Sequence, residues 1–94
     1  MTKRDEYTAR MKTQLDELNA GLSRLEADAA AVKADARAQY QEQMQKVRAA
    51  GQAARAQFDS VVASSEEAWA QLVAEMEKLR DAFKHSFNYF KSQI

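Results

Sequence analysis

Ninety-four residues without a cysteine rule out disulfides and thiolate chemistry, and a chain of this size folds as one domain over residues 1–94 with a modest core that a partner subunit often completes. Fourteen Lys and Arg balance fourteen Asp and Glu, so the uniform positive field of a general nucleic-acid binder is missing and no nucleic-acid partner is expected. With no proline, two glycines and an abundance of Ala, Gln, Glu, Lys, Arg and Leu, the composition is that of long helices, and the fold class reads as all-α.

Thr2, followed by Asp5 and Glu6, marks a helix start near Lys3, because a hydroxyl caps free N–H groups and acids suit the positive end of the helix dipole. From there Tyr7, Met11, Leu15, Leu18, Leu22, Leu25, Ala29, Val32 and Ala36 step by four and three, the heptad pattern of a coiled coil. Met11, Leu15, Leu18, Leu22 and Leu25 form its leucine-rich part and are the candidate oligomer seam. Gly21 lies beside that seam, a weak point costing about 1 kcal/mol relative to Ala. Ala36, Val47, Phe58 and Trp69 then fall at intervals of eleven, which averages about 3.67 residues per turn and straightens the supercoil.

The helix is expected to run over 3–58. Asp59 to Ser65 is the least helix-favouring run, and Ser64 with Glu67 has capping-box spacing, so a turn is placed at 59–64 and a second helix at 65–92. The alternative is one continuous helix in an antiparallel assembly, since the apolar stripe keeps its phase across the break. In the second helix Trp69, Leu72, Met76, Leu79, Phe83, Phe87 and Phe90 extend a stripe that begins at Phe58, and these eight residues form the candidate helix-pairing face.

Charge runs in blocks of alternating sign: positive over 1–12, negative over 13–32, positive over 33–58, negative over 59–77 and positive over 78–94. Folding the chain back near residue 61 brings Glu66 and Glu67 toward Arg55, Glu75 and Glu77 toward Lys46 and Arg48, and Lys78 and Arg80 toward Glu42. The same register sets Phe83, Phe87 and Phe90 against the Ala-rich run 27–38 and Trp69 against Ala49 to Ala54, large residues against small. Trp69 is then expected near Ala53 and Phe90 near Val32. The expected architecture is a long helix folding back as an antiparallel hairpin, with residues 1 to about 25 overhanging and burying their seam against another subunit.

No catalytic or ligand-binding pattern emerges. His85 is the only histidine, and the Glu-x-x-His spacing of a di-iron bundle fails because position 82 is Ala. Glu66, Glu67, Glu75 and Glu77 read as a solvated salt-bridging face, and Ser64 and Ser65 have no neighbouring base. No enzyme activity and no cofactor are expected. The segment Phe83 to Lys91 has a second reading as an amphipathic helix lying on a membrane or lipid surface, with Tyr89 pointing away from the Phe stripe. Residues 1–10 are polar and charged, and no stretch approaches the roughly eighteen apolar residues of a membrane span, so a cytoplasmic location is expected.

Glu6-Tyr7, Met11-Lys12, Gln14-Leu15-Asp16-Glu17, Asn19-Ala20, Leu25-Glu26-Ala27 and Ser65-Glu66-Glu67-Ala68-Trp69 leading to Leu72 resemble a family of short bacterial coiled-coil proteins described as stress-response proteins. The resemblance covers most of the chain and implies a small, helical, non-enzymatic protein associated with stress. The Phe-rich ending from Phe83 to Phe90 is heavier in aromatics than that family's pattern. The expected function is therefore a coiled-coil scaffold or stress-associated self-assembling protein acting through homo-oligomerisation. The alternative is a lipid-surface binder using the aromatic face, and a further possibility is an adaptor for a protein partner that the sequence does not name.

Overall fold

The computed structural model describes residues 2–31 and 34–93, with side chains for all of these but 34–36. Three helices follow one another, α1 (Lys3–Ala30), α2 (Ala34–Ala63) and α3 (Glu66–Gln93). Each spans about 42–45 Å at 1.5 Å per residue, and the whole molecule measures 51 × 20 × 17 Å. The bundle is thus one helix long, with up-down-up topology. Arg4 of α1 meets the end of α2 at Val61 to Ser64, and Glu26 meets Arg48, so α1 and α2 are antiparallel. Tyr7 lies against Trp69, Gln14 against Arg80 and Gly21 against Phe87, so α1 and α3 run parallel.

Two expectations are corrected here. The helix drawn over 3–58 is two helices, α1 ending at Ala30 and α2 beginning at Ala34. The overhang drawn for residues 1 to about 25 does not exist, because α1 folds back onto α2 and α3. The reason is energetic: a Leu-rich seam left in water forfeits about 1.5–3 kcal/mol for each large apolar side chain, and the hairpin of the same chain supplies a surface to cover it. Met11, Leu15, Leu22, Leu25 and Ala29 of α1 join Val47, Ala54, Phe58 and Val61 of α2 and Met76, Phe83 and Phe90 of α3 in one core. That core contains no buried charged residue among those described.

The hairpin of α2 and α3 is present, with its corner and register displaced. Helix continues through Ala63, and the chain turns at Ser64 and Ser65, so that the turn overlaps the expected 59–64 only at its last residue. Val61 is fully buried there, so the β-branched pair Val61 and Val62 is held helical by packing against its weaker propensity. Ser64 closes α2, its N–H and its hydroxyl both donating to the Val61 carbonyl at 3.2 and 2.7 Å. The N-cap of α3 is Ser65, whose Oγ accepts from the Ala68 N–H at 3.4 Å; the box expected from Ser64 and Glu67 sits one residue too early. At the other end of the chain the expected start at Thr2 is a full capping box, with Thr2 Oγ1 accepting from the Asp5 N–H at 3.1 Å.

Across the hairpin Gln57 reaches Leu72 and Glu75, Phe83 sits on Gly51 and Tyr40 stacks edge-on to Phe90. These pairs are centred between residues 64 and 67, about one helical turn beyond the fold point at 61. The expected cross-hairpin ion pairs are therefore replaced: Arg55 pairs with Asp59, Lys46 with Glu42, Arg48 with Glu26, and Arg80 with Asp81. Exposed pairs contribute a fraction of a kcal/mol each and yield to the seating of Phe rings against glycine. Trp69 meets Tyr7 and Arg4 of α1, where Ala53 had been expected. Phe90 meets Tyr40; its expected neighbour Val32 lies outside the described residues.

Candidate interaction surface

The expected seam of Met11, Leu15, Leu18, Leu22 and Leu25 divides by depth. Met11, Leu15, Leu22 and Leu25 are buried inside the bundle, while Leu18 is only half-buried. On the expected pairing face Phe58, Met76, Phe83 and Phe90 are buried, and Trp69, Leu72, Leu79 and Phe87 pack against the core from partly open positions. Tyr89 is half exposed, at 51%, on the far side of α3 from the buried phenylalanines. His85 is exposed beside a shallow cleft with Lys46 and Tyr89, and Glu66, Glu67, Glu75 and Glu77 are all exposed.

Leu18 and Phe87, each a half-buried member of its stripe, both line a groove between α1 and α3 of about 490 Å³. Gln14 and Glu17 line its α1 wall; Arg80, Asp81 and Lys84 line its α3 wall. Phe87 is aimed at Gly21, where a methyl group would come within 2.6 Å of its Cζ, and its ring contributes to the apolar lining of the groove. Arg80 spans the upper part, donating from Nη1 to Gln14 Oε1 at 3.0 Å and from Nε and Nη2 to Asp81 Oδ1 at 3.1 and 3.0 Å. Among the described residues Glu17 and Lys84 take part in no ion pair. An apolar strip flanked by charges of both signs can receive another amphipathic helix.

Two polar features near the start of α1 escaped sequence reasoning. Arg4 places its guanidinium on the carbonyls of Val61, Val62 and Ser64 while stacking 4.6 Å from the Trp69 ring centroid. A cation at a helix C-terminus offsets the negative end of its dipole, and α2 has no basic residue in its own last turn. Nothing local marks Arg4 for this role, since its partners lie nearly sixty residues away. Tyr7 stacks edge-on to Trp69 with centroids 5.6 Å apart, and its hydroxyl is buried without a hydrogen-bond partner. Burial pushes the Tyr7 phenol above its ordinary pKa of 10.0; Glu77 adds to the shift, and Arg80 and Arg10 oppose it.

The fold and groove define the class: a small three-helix bundle with a hydrocarbon interior and a mixed-charge surface groove. No family model matches the chain, and neither curated proteins nor solved structures give a match. Among the described residues no three His, Cys, Asp or Glu side chains converge as a metal site would require, and no helix is long and apolar enough to cross a membrane.

Proposed function

We propose that this protein is a non-enzymatic helical scaffold that acts by association with other helices, its own copies first among them. The observation that carries this reading is the α1–α3 groove, where Leu18 and Phe87 form an apolar floor between unpaired Glu17 on one wall and Lys84 on the other. A second copy docked with its α1 over α3, and α3 over α1, sets Glu17 of each copy beside Lys84 of the other, so the surface is self-complementary about a twofold axis along the bundle. The stress association implied by the family resemblance belongs to the same reading: a scaffold of this kind works by holding chains together. Lipid binding through the aromatic face is the less favoured proposal, because Phe83 and Phe90 are fully buried and the bundle would have to open to present them.

Sedimentation velocity from micromolar to millimolar concentration tests the reading. The wild type is expected to associate, and Lys84→Glu, which turns both rim pairs repulsive, is expected to weaken association at unchanged helicity. A chain that stays monomeric throughout would sink the self-assembly reading.

A further inference from the structure

The two corners of the bundle are built differently, and the difference bears on how copies pair. The α2–α3 corner is locked by the Ser64 and Ser65 side chains and by Arg4 on the last carbonyls of α2. At the α1–α2 corner the sequence over 27–38 is Ala-Asp-Ala-Ala-Ala-Val-Lys-Ala-Asp-Ala-Arg-Ala, without Gly, Pro, Ser or Asn. Such a run favours uninterrupted helix. The C-cap Ala31 keeps right-handed helical angles, φ −87° and ψ −6°, with its N–H on Asp28 and Ala29, and among the described residues Arg37 reaches the end of α1, donating to the Ala30 carbonyl at 3.4 Å.

The pairing of α1 with α2 is also symmetric. Arg4 with Val61, Arg4 with Ser64 and Glu26 with Arg48 have midpoints between residues 32 and 37. Two copies of one straight helix over 3–63, laid antiparallel about a twofold axis at those residues, make the same pairs between molecules.

We infer that the chain also forms an exchanged dimer, in which α1 and α2 join as one helix about 90 Å long and α1 of each copy occupies its place on the α2–α3 hairpin of the other. The buried seam of α1 is covered identically in both forms. The exchange is set by the lost corner, which the local sequence does not favour, against the entropy of bringing two chains together. This pairing does not use the α1–α3 groove, and its test separates it from docking of intact bundles.

The chain has no cysteine, so Glu26→Cys with Arg48→Cys supplies the only thiols. The native pair is 2.8 Å apart at its charged ends, within reach of a short bismaleimide. Monomer and dimer are separated by size exclusion, cross-linked at once and run on a denaturing gel. The dimer fraction is expected to give covalent dimer and the monomer fraction only internally linked monomer. A dimer fraction that yields only internally linked monomer overturns the exchange while leaving self-assembly standing; absence of any dimer at millimolar concentration overturns both. Ala34→Pro, at the first helical position of α2 where proline is tolerated, interrupts a straight helix over 3–63 and is expected to reduce the exchanged dimer at least tenfold with the monomer still helical. Undiminished cross-linked dimer in that variant would rule out the straight-helix mode.

Discussion

Gly51 and Gly21 look alike in the sequence, single glycines inside helices, and are set apart by the rings that face them. A methyl group on Gly51 would meet Phe83 Cζ at 3.0 Å, and Phe83 is fully buried. Gly51→Ala is therefore expected to destabilise by about 1–2 kcal/mol, overpacking outweighing the helix-propensity gain of about 1 kcal/mol. Urea unfolding measures this, and adding Phe83→Leu should recover part of the loss. Gly21→Ala creates a closer approach, 2.6 Å, but to a ring at the edge of an open groove that can swing outward. Its net change is expected to be smaller than that of Gly51→Ala, and a larger loss would show that Phe87 is held as rigidly as Phe83. Tyr7 adds a pH test. Its folded-state pKa is raised, so the folded chain keeps the phenol proton after the unfolded chain has released it, and stability falls as pH rises above about 10. Tyr7→Phe removes a buried hydroxyl that has no partner; it should leave stability at neutral pH equal or higher and flatten the alkaline loss, as read by thermal melts across that range.

Among the elements, α2 depends on a residue of α1 for its C-terminal cap. Arg4→Ala removes the guanidinium from the Val61, Val62 and Ser64 carbonyls and from the Trp69 face, with an expected loss of about 1–2 kcal/mol and a shift in Trp69 fluorescence. Arg4→Lys should recover only part, because an ammonium lacks the planar fork that reaches several carbonyls while lying on the ring. The helical periodicities were legible in the sequence: Thr2 as the first cap, the heptad positions of α1, and the stripe of α3. The register of the hairpin was not, because exposed charges of alternating sign suit several registers almost equally. The decision between them rests on Phe83 against Gly51, a contact between residues that no local pattern links.

For the whole molecule, Trp69 reports on all three helices, since it lies in α3, touches Arg4 and Tyr7 of α1, and Arg4 in turn holds the end of α2. Circular dichroism and Trp69 fluorescence should therefore trace one coincident unfolding transition; fluorescence that changes first would mean α1 leaves the hairpin before the hairpin melts. The sequence by itself determined that the chain is helical, where its first helix starts, and which side of each helix is apolar, because propensity, capping and periodicity act over a few residues. Only the tertiary structure decided that the leucine seam is covered within the chain and that the helix drawn over 3–58 breaks before Ala34. It likewise placed Leu18 and Phe87 at a groove. An amphipathic helix states that its apolar face must be covered, but the cover is chosen by competition among distant segments, and burial of large side chains outweighs the weak local preference of an alanine-rich corner to stay straight.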